Sequence, residues 1–162
     1  MTQIRRLDHI AVAVRDTELA LTHFSGRLGL AVVHQEVLES PPVRLTYLDA
    51  GNAFLQLVEP LDTKSEISRW LDENGEGLHH ICFGVDDVAG AVRELSSRGD
   101  GPFPLGQGRG RPSGFVADGS PHGVVVECTE FHRDEDVDGR QGWLSPEKPA
   151  RDVVAGDDFS GG

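Results

Sequence analysis

Two stretches, Leu7-Asp8-His9-Ile10-Ala11-Val12-Ala13-Val14 and Leu78-His79-His80-Ile81-Cys82-Phe83-Gly84-Val85, decide how the rest of the chain reads. Each is an apolar run with the β-branched content of a buried strand, and each carries a histidine at its third position. Superimposing them sets an offset of 71 residues, which also places Val14 on Val85 and Asp16 on Asp87. A repeat of this length says that one supersecondary unit occurs twice, and that the two copies bury their apolar faces together.

Outward from the first stretch, Asp16 and Thr17 offer a helix N-cap, and Leu19, Ala20, Phe24 and Leu28 recur at helical spacing before Gly29. Val32 to Leu38, Val43 to Leu48 and Ala53 to Val58 then read as strands, separated by Ser40-Pro41-Pro42 and by Asp49-Ala50-Gly51-Asn52. The unit is β-α-β-β-β. Outward from the second stretch the order recurs: Asp86-Asp87, a helical segment through Val88, Val92 and Leu95 to Gly99, and strands at Phe115 to Ala117 and Val124 to Cys128. The Gly-, Pro- and Arg-rich segment 102–113 is expected to be a loop with one irregular strand, and the insert Leu61 to Gly77 a short connecting helix. The expected fold is therefore α+β, with module one at residues 5–60 and module two at 76–131 forming a cupped mixed sheet within one domain, 1–131. Residues 132–162 are rich in Asp, Gly, Arg and Pro and are expected to form a flexible acidic tail that docks, if at all, through Trp143.

The composition narrows the partners. A net charge of −12 and a sequence pI near 4.9 repel phosphate backbones and anionic lipid, so neither nucleic acid nor a membrane is expected. No apolar run approaches the roughly 18 to 20 residues of a membrane span. Cys82 and Cys128 sit inside apolar strands, which predicts buried free thiols and a cytoplasmic setting.

The chemistry lies in the repeat. Either histidine alone reads as a satisfied core imidazole, but equivalent positions of two packed modules are brought into symmetric relation. The same offset maps Gln56, in Phe54-Leu55-Gln56-Leu57-Val58, onto Glu127, in Val125-Val126-Glu127-Cys128. A polar side chain in an apolar strand needs a partner, and a cation satisfies all four at once. Two imidazoles, one amide oxygen and one carboxylate, with no thiolate, suit one divalent ion (Co, Mn, Ni, Zn, Fe or Mg) in six-coordinate geometry. Two open positions would chelate a substrate through two oxygens and stabilise an enolate.

Leu7-Asp8-His9-Ile10-Ala11-Val12, Gln56-Leu57-Val58-Glu59-Pro60-Leu61 and Gly75-Glu76-Gly77-Leu78-His79-His80-Ile81 together resemble the methylmalonyl-CoA epimerase branch of the vicinal-oxygen-chelate superfamily, over residues 5–131. The resemblance implies a glyoxalase-like fold, an acyl-CoA thioester substrate and a homodimer. It also places the family's metal ligands on His9, Gln56, His80 and Glu127, with Glu127 doubling as a catalytic proton carrier. The chain departs from that pattern at Leu45, where many bacterial epimerases carry a glutamate base, and at Phe115-Val116-Ala117-Asp118, where they continue into His-Pro. Glu36, sharing a strand face with His34, is the expected substitute base. Arg109 and Arg111 are expected to grip CoA phosphates or a substrate carboxylate, a solvated basic loop being the plain alternative. His122 reads as a surface turn residue. The competing functions are a glyoxalase-like lyase or isomerase, an Fe²⁺ dioxygenase using His9, His80 and Glu127 alone, and a non-catalytic binding or resistance protein.

Overall fold

In the computed structural model, residues 1–96, 105–116 and 121–132 are described. The expected tail, Gly99 and the Asp118-Gly119-Ser120 part of the expected turn lie outside these residues. The first copy of the repeat comprises β1 (Ile4–Ala13), α1 (Thr17–Phe24), β2 (Ala31–Glu39), β3 (Pro42–Asp49) and β4 (Phe54–Pro60). After the connecting helix α2 (Glu66–Asn74) come β5 (Gly77–Val85), α3 (Val88–Leu95), β6 (Leu105–Gly108), β7 (Arg111–Phe115) and β8 (Val126–Glu130). The caps recur with the strands: the Asp16 carboxylate accepts the Leu19 N–H at the start of α1, and Asp87 accepts the Gly90 N–H at the start of α3.

All eight strands form one mixed sheet in the order β2-β3-β4-β1-β5-β8-β7-β6. The two modules meet where β1 runs antiparallel to β5, with Ala11 opposite His80 and His9 opposite Cys82. On either side of that seam the register repeats at the sequence offset: β1 pairs parallel with β4 through Ala11 and Gln56, and β5 pairs parallel with β8 through Cys82 and Glu127. Side chains alternate along a strand, so His9 and Ala11 share a face, as do His80 and Cys82. Ala11 and Cys82 are fully buried, and their small side chains leave room for the polar groups around them.

The convex face is covered by α1 and α3. Val14, Leu48 and Leu57 pack against Leu21 and Phe24 of α1, and Val85 and Cys128 pack against Val88 and Val92 of α3. The concave face of module one carries a second apolar cluster of Ala11, Val43, Leu45, Tyr47 and Val58. Among the described residues no helix is long and apolar enough to cross a membrane.

Three expectations need correction. The Gly- and Arg-rich segment forms two strands, β6 and β7, joined by a two-residue turn at Arg109 and Gly110, both with positive φ (55° and 68°). That is the turn type whose twist suits a tight hairpin, but it normally takes Asn-Gly, so the Arg-Gly pair gave little hint of it. The last strand begins at Val126 rather than Val124. Helix α1 ends at Phe24, leaving Leu28 exposed, because the chain turns away through Gly26 and Gly29.

Candidate metal centre

β1 and β5 present His9 and His80 to each other across the seam, and β8 brings Glu127 alongside. The two Nε2 atoms lie 3.3 Å apart, and Glu127 Oε2 is 3.3 Å from His9 Nε2 and 3.1 Å from His80 Nε2. All three residues are buried and form one of two clusters among the described residues whose ligand atoms fall within 4.8 Å of one another.

The hydrogen bonds behind these groups fix which atoms face inward. His9 Nδ1 is 2.8 Å from Asp8 Oδ1, so in a neutral ring the proton sits on Nδ1 and the lone pair on Nε2 points into the cluster. A carboxylate behind a ligating imidazole is a recurrent support of metal sites. His80 Nδ1 lies 2.8 Å from His79 Nδ1, and with its proton on Nδ1 it too offers Nε2. Gln56, 4% exposed, donates from Nε2 to the Tyr47 hydroxyl at 2.6 Å, while its Oε1 is buried with no hydrogen-bond partner. An orphaned amide oxygen in a buried polar cluster is satisfied by a cation, so the residues present fit a divalent metal. The other cluster, Asp8, His9 and Cys82, does not fit: it spends His9 Nδ1 and Asp8 Oδ1, which already bond each other. Burial and the nearby carboxylates push the Cys82 thiol up.

Charge follows the same geometry. Burial pushes the Glu127 carboxyl up, but His80 and His9 more than offset this and hold it well below the usual carboxylate range. Burial pushes the His9 imidazole down, and Asp8 and Glu127 together bring it above its ordinary value. His79 goes the other way, to about 4, through burial first and the neighbouring His80 second.

These groups stand at the floor of a cavity of about 1330 Å³ shared by both modules, with Leu45 and Val58 on one side, Leu105 and Phe115 on the other, and Trp70 of α2 at its margin. The space exceeds the usual 300 to 1,000 Å³ of small-molecule pockets.

His9, Gln56, His80 and Glu127 thus line one cavity. Of the other expected residues, only Arg109 also lines it. Glu36 Oε1 accepts the Arg109 backbone N–H at 2.6 Å, and the residue is not on the cavity wall, so its carboxylate is not where a base acting on a cavity-bound substrate would stand. Neither arginine is in a solvated loop: the Arg109 guanidinium is buried against Asp8, and that of Arg111 is buried on the Glu130 carbonyl. Arg109 lines the cavity and Arg111 does not. His122 is exposed and has a positive φ, as a turn residue would. Sequence reasoning missed Asp8, Tyr47 and His79. The signal for Asp8 and His79 was their place immediately before the two histidines; nothing in the sequence singled out Tyr47.

Comparisons with known proteins agree with this fold. The family model described as the Glyoxalase/Bleomycin resistance protein/Dioxygenase superfamily matches residues 8–117. The ethylmalonyl-CoA/methylmalonyl-CoA epimerase of Cereibacter sphaeroides is 32% identical over 133 residues, covering 78% of this chain and 98% of that protein. The mouse mitochondrial methylmalonyl-CoA epimerase is 34% identical over 97 residues, covering 59% of this chain; the match spans 54% of that longer protein. A Streptomyces coelicolor methylmalonyl-CoA epimerase with one glutamate changed to glutamine, solved with 2-nitronate-propionyl-CoA, superposes with a TM-score of 0.68 at 30% identity, covering 79% of this chain and 98% of that one. By this match and by its paired modules, the chain belongs to the glyoxalase/bleomycin resistance/dioxygenase superfamily, as an epimerase-like member.

Proposed function

We propose that the protein is a metal-dependent epimerase of a 2-substituted malonyl-CoA-type thioester. The observation that carries this reading is the convergence of His9 Nε2, His80 Nε2 and Glu127 Oε2 within 3.3 Å, beside the orphaned Gln56 oxygen, at the floor of a large cavity. His9, Gln56, His80 and Glu127 would hold the divalent ion. When bound, it supplies Lewis-acid polarisation of the thioester carbonyl, which lowers the cost of removing the adjacent α-proton. Four protein donors favour this over a dioxygenase, which needs three.

The chain's own residues do the rest. In this reading Glu127, held ionised beside two imidazoles, exchanges the α-proton on one face of the substrate, and inversion requires a second proton donor on the opposite face. Leu45, Val58 and Phe115 wall the cavity with apolar surface, which limits water near a carbanionic centre. Glu36 has no part in proton transfer in this reading.

The test is α-proton exchange in deuterated water on a small panel of acyl-CoA thioesters, followed by mass spectrometry. The metal-replete protein is expected to incorporate deuterium at the α-carbon of a methylmalonyl-type thioester, and the chelator-treated protein to lose that activity. Glu36→Gln, which keeps an acceptor for the Arg109 N–H, is expected to stay near the wild-type rate; a fall of about 10²-fold or more would return Glu36 to the role of base. Absence of exchange on every thioester by a protein that holds its metal would overturn the epimerase reading in favour of a glyoxalase-like reaction.

A further inference from the structure

We propose that Arg109 is a positioning residue for the metal donors of module one, reaching His9 through Asp8 and Gln56 through Tyr47. The inference rests on the metal-site reading above and extends it to a residue from the opposite module.

Arg109 violates a local rule. It is a non-glycine residue with φ 55° at the first position of a tight hairpin turn, where Asn or Gly is the comfortable choice. A side chain in the left-handed region is strained, and such conformations persist where their surroundings determine them. Here three contacts do so. The backbone N–H of Arg109 is held by Glu36 Oε1 at 2.6 Å. The guanidinium Nη2 forms an ion pair and hydrogen bond with Asp8 Oδ1, both side chains being almost wholly buried. The guanidinium carbon also lies over two aromatic rings, 4.9 Å from the centroids of both Tyr47 and Phe54. Gly108 makes the approach feasible, since a Cβ there would stand 2.9 Å from the Tyr47 hydroxyl.

Each group that Arg109 touches on its two sides in turn holds a proposed donor. Asp8 Oδ1 is shared between Arg109 and His9 Nδ1, so the guanidinium fixes the carboxylate that orients the imidazole. Tyr47, under the guanidinium, accepts from Gln56 Nε2 and thereby leaves Oε1 as the amide atom without a hydrogen-bond partner among the described residues. The His9 and Tyr47 rings are themselves in edge contact, with centroids 5.8 Å apart. Without Arg109, the buried Asp8 carboxylate would keep only the more distant Arg6, 3.9 Å from its other oxygen, and Oδ1 would be free to rearrange. The guanidinium also suits this place better than an ammonium, being planar and able to stack while donating in its own plane.

The experiment titrates Co²⁺ into the purified full chain against a competing chelator and records the ligand-field absorption spectrum, with far-UV circular dichroism as the check on folding. Arg109→Met is expected to weaken Co²⁺ binding by roughly 10- to 100-fold, the usual consequence of losing an outer partner of a metal ligand, and to change the spectrum; Arg109→Lys should recover only part. Asp8→Asn and the Asp8→Asn/Arg109→Met double variant complete a cycle. If Arg109 acts on His9 through Asp8, its loss should cost clearly less affinity in the Asp8→Asn background than in wild type. Wild-type affinity and spectrum in Arg109→Met would overturn the proposal, as would fully additive losses in the cycle. Should Arg109→Met fail to fold, Arg109→Lys with wild-type affinity and spectrum would overturn it equally. A wild-type chain that binds no Co²⁺ would instead remove the metal site itself, which separates the two failures.

Discussion

The two modules share one backbone plan and distribute the charge of the site in opposite ways. In module one the carboxylate, Asp8, stands behind the histidine, and the donor from the parallel strand is the neutral amide of Gln56. In module two the group behind the histidine is the neutral His79, and the parallel strand supplies the carboxylate of Glu127. Positions 8 and 79 are equivalent, as are 56 and 127, so the repeat has kept the places while exchanging the chemistry. The consequence is that, among these four positions, one carboxylate, Glu127, joins the two histidines in the cluster. The other, Asp8, is covered by Arg109, and its field reaches the ion through His9.

Moving the charge is the sharpest way to break this arrangement. Glu127→Gln removes the anionic donor and is expected to lower metal affinity by more than the roughly 100-fold upper range for an outer partner. Adding Gln56→Glu to that variant puts a carboxylate at the equivalent place in module one and should restore much of the loss. No recovery in a folded double variant, measured by Co²⁺ competition, would show that the two places are not interchangeable.

Next in size are the supporting groups. Asp8→Asn should cost roughly 10- to 100-fold in affinity, and His79→Gln less, since a neutral hydrogen-bond partner is exchanged for another. Equal losses would mean that the charge behind His9 contributes nothing beyond orientation.

The smallest effect separates the modules by pH. Folded His79 resists protonation down to about 4, whereas an unfolded histidine takes its proton near 6.5, so between those values the unfolded state binds more protons. Stability of the metal-free protein should therefore fall as pH drops through that window, with a slope from this residue of up to about 1.4 kcal/mol per pH unit before solvent screening. Denaturant melts at pH 7, 5.5 and 4.5 should show a shallower decline for His79→Gln than for wild type; parallel declines would remove His79 from the account.

Much of this was legible in the sequence because backbone periodicity and the repeat offset are local or additive signals. The strands around His9 and His80, the Asp16 and Asp87 caps and the pairing of Gln56 with Glu127 all follow from such patterns. The β6–β7 hairpin did not, because Arg109-Gly110 lacks the usual turn residues and its geometry is fixed by partners from module one. Arg109 was singled out as a substrate-gripping residue, but its contacts with Glu36 and Asp8, across 73 and 101 residues of chain, are recorded by no local pattern.

The most direct test of the central claim, that both modules jointly build one metal centre, is a Co²⁺ titration of wild type and the His9→Ala/His80→Ala variant followed by absorption spectroscopy. One Co²⁺ per wild-type chain is expected, with ligand-field bands of a nitrogen and oxygen donor set and no thiolate charge-transfer band from Cys82, and none in the folded double variant. Full stoichiometric binding by the double variant, or a thiolate band in wild type, would contradict it.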